Sequence, residues 1–178
     1  TAEVFREFGI QSGQMSERFG ASRNEMEKFG ETSEKLYGSA AAGFRTFKLL
    51  SANFGGFAGV QPKFRTSIGE SAMAMEKLGF STEDVSKVLD NATRSLGMNG
   101  DQANQTILRL AKLRQEFNVS AREITQNYIT AQDRLIYNTG KVDRIFAQLQ
   151  SRSRRSGVEF STLIDKFGEG FDTFEGAA

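Results

Sequence analysis

FSTEDVSKVLDNATRSL (80–96), VSAREITQNYITAQDRL (119–135) and VEFSTLIDKFGEGFDTF (158–174) follow one another at a spacing of 39 residues. Phe80, Val119 and Val158 fall in one column, Val85, Ile124 and Leu163 in a second. Leu89, Tyr128 and Phe167 form a third, and Leu96, Leu135 and Phe174 a fourth. Later in the period Ile107 matches Phe146 and Leu110 matches Leu149. Self-similarity at this length marks stacked helical hairpins, in which one unit cannot bury its apolar side alone.

Start and stop signals divide the frame into helices. Ser81 precedes Asp84 by three residues, and Ser120 precedes Glu123 by the same interval. A hydroxyl there accepts a free amide of the first turn, while the carboxylate faces the positive pole. Gly97 and Gly140 end the first helix of each pair, and Asp101 is the expected cap of the helix after Gly97. The expected helices run over 82–97, 101–117, 121–138, 141–155 and 159–174, preceded by one over 63–78. The expected class is all-α, without a sheet.

Upstream the spacing changes. Val4, Met15, Met26 and Tyr37 are eleven residues apart, Phe8 and Phe19 share that interval, and Phe29 falls one short of it. Eleven residues over three turns is about 3.67 per turn, which keeps an apolar line on one side of a helix. Residues 1–54 therefore read as an elongated amphipathic helix or helices with a self-association seam along Val4, Phe8, Met15, Phe19, Met26, Phe29 and Tyr37. The seam needs a partner, and a second copy of the chain is favoured over a helix of the same chain. Ser22 and Glu25 form a capping box, so a break near Gly20 or Gly30 fits as well as one continuous helix. Gly55, Gly56, Gly59 and Pro62 read as a hinge over 55–62, leaving 63–178 as the hairpin module.

Composition limits the chemistry. Only 38% of the 178 residues are hydrophobic and 25% are charged, which suits helices with wet flanks better than a thick globule. The net charge of +1 supplies no global field for nucleic acid. Histidine and cysteine are absent, so the commonest general base, thiolate metal sites and Ser-His or Cys-His pairs are excluded. Neither a phosphate-binding P-loop nor a dinucleotide fingerprint occurs. No cofactor, metal or catalytic residue is expected. The apolar run from Leu49 to Val60 is too short to span a bilayer, which needs about 20 residues. The chain begins inside a helical pattern without a Met, so it is expected to be a piece of something longer.

One charge cluster stands out: Arg152, Arg154 and Arg155, with Lys141 and Arg144 before them against Asp143 alone. It is a possible phosphate contact. Cations before Gly157 also complement the negative end of a helix, and no interleaved aromatics accompany them. Nucleic acid is therefore not the expected partner.

Leu78 to Leu113, LGFSTEDVSKVLDNATRSLGMNGDQANQTILRLAKL, and Phe117 to Ala131, FNVSAREITQNYITA, resemble the tail tape-measure proteins of bacteriophages. That family carries runs of the form G-[small]-S-x-E-[apolar] followed by Ala-rich helices. The resemblance covers 63–170 in style and 1–60 in composition. It implies an extended, coiled-coil-forming virion protein of three or six copies that fills the tail lumen and sets tail length. It further implies docking on the tail-tip or baseplate hub, contact with tail tube proteins, and exit ahead of the DNA, with membrane contact only during infection. The expected location is the tail lumen or tip, and the host cytoplasm during assembly. The alternatives are a helical scaffold, chaperone or internal virion protein, and a nucleic-acid-binding helical module.

Overall fold

The structure, a computed structural model, describes residue 13 and residues 22–135 and 141–175, with side chains as far as residue 168. Among the described residues there are eight α-helices and no strand. They are α1 (Arg23–Tyr37), α2 (Ala40–Asn53), α3 (Pro62–Lys77), α4 (Thr82–Asp90), α5 (Gly100–Phe117), α6 (Ala121–Arg134), α7 (Val142–Ser156) and α8 (Phe160–Glu175). A 3-10 turn (Phe57–Gly59) precedes α3, and a π-helical turn (Asn91–Ser95) extends α4.

Each helix packs on its successor and on the helix after that. The even-numbered helices α2, α4, α6 and α8 touch in that order and make one layer. The odd-numbered α1, α3, α5 and α7 touch in order and make the other. Consecutive helices cross between the layers, so the molecule is a two-layered stack of hairpins.

The 39-residue frame is the interior of this stack, and it reaches one unit further toward the N-terminus than the sequence columns do. Leu50 stands 39 residues before Leu89 and is fully buried, as Leu89 is. In the odd layer Phe29, Ile68, Ile107 and Phe146 are successive members at the same interval, all 0% exposed. One column of side chains thus runs through four hairpin levels, each completing the core of the next. The last unit is less covered: Val158 is exposed and Leu163 and Phe167 are half-buried. Among the described residues no hairpin packs beyond them.

The N-terminal part differs from an outward seam. Met26 and Phe29 are fully buried within the chain's own core. Tyr37, half-buried, donates from its hydroxyl to the Met73 carbonyl. The partner of this apolar line is α3 together with α2, not another copy, and these residues do not form a self-association seam. Val4, Phe8, Met15 and Phe19 lie outside the described residues. Of the two N-terminal arrangements, several helices rather than one long one is found. Helix α1 starts at the Ser22–Glu25 capping box and passes unbroken through Gly30. It ends at Gly38, whose φ of 69° is the left-handed conformation that glycine adopts without a Cβ penalty. Helix α2 then folds back against α1. The close approach is sealed by Ser33, whose Oγ accepts from the Gly43 amide at 2.6 Å and donates to the Ser39 carbonyl at 2.6 Å.

Gly55, Gly56, Gly59 and Pro62 form a fastened turn rather than a hinge. Phe54 and Phe57 bury their rings, and Phe57 meets Phe47 edge-on at 5.2 Å. The Gly55 amide donates to Asp90 Oδ1 at 2.9 Å, and Arg65 Nη1 donates to the Ala58 carbonyl at 3.0 Å. Pro62 opens α3, where its missing N–H costs nothing. One apolar cluster runs from Met26 to Ile164, so the segments before and after 55–62 share a core instead of forming separate modules.

Candidate functional site: a basic helix and the cleft beside it

Side-chain caps fix where the helices of the site begin. Ser81 Oγ accepts from the Asp84 amide at 3.2 Å, and Ser120 Oγ accepts from the Glu123 amide at 3.0 Å. Asp101 is not the cap of α5. Asn99 takes that place: its Oδ1 accepts from the Gln102 amide at 2.9 Å, and Gln102 Oε1 accepts from the Asn99 amide at 2.9 Å. The π-turn accounts for the difference. It widens α4 so that the Leu96 amide reaches back five residues to the Asn91 carbonyl, and the Met98 amide then reaches the Ala92 carbonyl. Left-handed Gly97 completes the reversal, and α5 starts one residue before Asp101. Asp101 sits in the first turn and accepts from Gln105 Nε2 at 2.8 Å. Gly140 lies outside the described residues.

Helix α7 follows α5 in the odd layer. Asp143 in its first turn is held from two sides: Tyr128 donates its hydroxyl to one carboxylate oxygen and Arg109 donates to the other. Tyr128 is buried, and that burial, followed by the charge and hydrogen bond of Asp143, raises its pKa above the usual phenol range. The phenol is therefore a protonated donor at neutral pH. Phe146 stacks edge-on against Tyr128 at 4.9 Å and against Phe160 at 5.4 Å, which fixes the rotation of α7.

That rotation decides what α7 shows to solvent. Arg144, Gln148, Arg152 and Arg155 are exposed and fall at intervals of four, four and three, along one side of the helix. Arg154 points elsewhere, into a hollow of about 390 Å³ that it shares with Glu123, Asn127 and Glu159. The structure therefore groups Arg152 and Arg155 with Arg144 and sets Arg154 apart beside two carboxylates. A larger open cleft of about 880 Å³ lies between α5 and α7, lined by Gln102, Gln105, Arg109, Lys141, Asp143 and Arg144 among others. Arg144 links cleft and stripe. Sequence reasoning named Lys141 and Arg144 beside Arg152, Arg154 and Arg155 but did not sort them by helix face; the four-residue intervals from Arg144 to Gln148 and Arg152 are the signal that was available.

Among the described residues no group of three acidic side chains is arranged to hold a metal ion, and no helix is long and apolar enough to cross a membrane. The fold defines the class, an all-α stack of helical hairpins. No protein-family model, curated protein or solved structure matches the chain.

Proposed function

We propose that this chain is a non-enzymatic docking module of the bacteriophage tail tape-measure kind, a folded part of a virion protein that holds to the tail-tip hub. The observation that carries the reading is the resemblance of the stretch from Leu78 to Leu113, which covers α4, the turn after it and most of α5. A stack of hairpins supports docking rather than catalysis, because it presents long, rigid helix faces and few convergent polar groups. Assembly into three or six copies has no use for Met26 and Phe29, which are interior. It would run through the surface of the stack or through Val4, Phe8, Met15 and Phe19. Tails purified from the encoding phage are expected to contain the chain. In-frame removal of residues 22–175 is expected to abolish tails or leave their length uncontrolled. Infectious tails of unaltered length would sink the reading.

A second reading, a helical scaffold, chaperone or internal virion protein acting as a monomer, is favoured by the continuous core that a single chain closes from Met26 to Ile164. Sedimentation separates the two: a monomer at every concentration, absent from purified tails, supports the second.

A further inference from the structure

Outside α7 the described arginines are Arg23, Arg45, Arg65, Arg94, Arg109, Arg114, Arg122 and Arg134. All but Arg114 and Arg122 pair with a carboxylate. On α7 the pattern inverts, since none of Arg144, Arg152, Arg154 and Arg155 forms an ion pair with a described residue. Asp143, the one acid of this helix, has both oxygens engaged by Tyr128 and Arg109. The segment 141–156 therefore carries Lys141 and four arginines against one occupied carboxylate, a net of +4 in a chain whose net charge is +1.

Helix stability does not account for this. Arg154 and Arg155 precede the Gly157 cap and complement the negative pole of α7. Lys141 and Arg144 stand at the opposite, positive pole, where a cation is unfavourable for the helix. Both side chains are exposed, and neither forms an ion pair with a described residue.

We infer that the outward side of α7, Arg144, Arg152 and Arg155 with Lys141 at its head, is a contact surface for the phosphate backbone of a double-stranded nucleic acid. From Arg144 to Arg155 the stripe rises about 16 Å, enough to follow several phosphates along one strand. Guanidinium forks match phosphate oxygens in pairs, which a stripe richer in arginine than lysine exploits. Gln148 between them adds a neutral donor. No aromatic side chain stands on the stripe to stack on unpaired bases, which favours a duplex over a single strand. No apolar side chain interrupts it, which disfavours insertion into a lipid surface. Contacts of this kind position a backbone and carry no sequence preference. The inference is independent of the tail reading and survives its failure.

The test is fluorescence anisotropy of a short random-sequence DNA duplex titrated with the whole chain. Four neutralised phosphates would weaken binding roughly a hundredfold between about 50 and 200 mM salt. Arg144→Gln/Arg152→Gln/Arg155→Gln is expected to lose at least tenfold in affinity at the lower salt, with circular dichroism unchanged. The single variant Arg152→Glu is expected to flatten the logarithmic salt slope by about one or more. Lys48→Gln/Arg122→Gln, which removes exposed cations elsewhere, is expected to bind as the parent does. Absence of binding at the lower salt overturns the inference, and so does equal binding by the triple variant. Capture by phosphatidylserine vesicles in place of the duplex overturns it too.

Discussion

Arg65 and Glu25 meet in a fork, Nε to Oε1 at 3.0 Å and Nη2 to Oε2 at 3.2 Å, with both side chains only 9% exposed. Glu25 Oε2 also accepts from the Ser22 amide at 2.8 Å, so one carboxylate starts α1 and ties it to α3. Breaking such a buried pair from one side strands the other charge. Glu25→Ala is expected to cost about 3–5 kcal/mol in urea unfolding. Glu25→Leu/Arg65→Met, which removes both charges, is expected to recover most of that loss; equal losses in the single and double variants would show that the fork is not what holds α1.

The same carboxylate sets an acid limb. Burial pushes the Glu25 pKa up, but the Ser22 amide and the Arg65 guanidinium outweigh it and leave the group below its ordinary value of 4.5. A folded-state pKa lower than the unfolded one means the stabilisation is complete above the unfolded value and drains as pH falls through the folded one. The gap in urea midpoint between the parent and Glu25→Gln should be constant near neutrality and close below about pH 4. A gap that stays open in acid would contradict the assignment.

Gly69 lies in α3 against Phe29, and a Cβ built there would sit 1.3 Å from the Phe29 Cζ atom. Neither helix backbone nor a fully buried ring has room to retreat. Gly69→Ala is expected to destabilise by about 3 kcal/mol, at the upper end for overpacking. Adding Phe29→Leu should return part of it. A thermal melt of Gly69→Ala that matches the parent would mean α1 is not seated as described.

Asn99 and Asp101 compete for the role of cap on α5, and the geometry gives it to Asn99. Asn99→Ala is expected to cost about 1 kcal/mol. Asp101→Ala, which loses a charge near the dipole and an exposed bond to Gln105, should cost well under that. The reverse order in chemical denaturation would restore the assignment that the sequence favours.

Met26→Asp distinguishes an interior residue from a seam. A carboxylate at a position with no exposed surface should unfold the chain, seen as lost ellipticity, because burying an unpaired charge exceeds the usual stability of a domain this size. A folded monomer from this variant, starting from an oligomeric parent, would return Met26 to an intermolecular seam.

The columns at Phe80, Val85, Leu89 and Leu96 were legible because apolar residues recur there in each of three units. Five helices followed from them, with most ends within a residue or two. The unit before them was hidden. Thr46 and Ser71 fill two of its frame positions with buried hydroxyl groups, so the apolar columns stop at Phe80 although the hairpin does not. Which way Met26 and Phe29 face was also illegible, since an eleven-residue line says that a partner exists and not whose it is. Arg65 and Glu25 are 40 residues apart in the chain, and nothing local in either segment announces the other. At the candidate site the charges could be read off directly. Their sorting into a stripe and an isolated Arg154 depends on how Phe146 and Tyr128 rotate α7, which is a matter of packing.

The column Phe29, Ile68, Ile107 and Phe146 makes each level a socket for the one above it. A gene that duplicates one such period in phase would hand the newcomer a ready fit on both sides. Length in this architecture can therefore grow or shrink by whole storeys, while the two ends alone must be refitted to water or to whatever they grip.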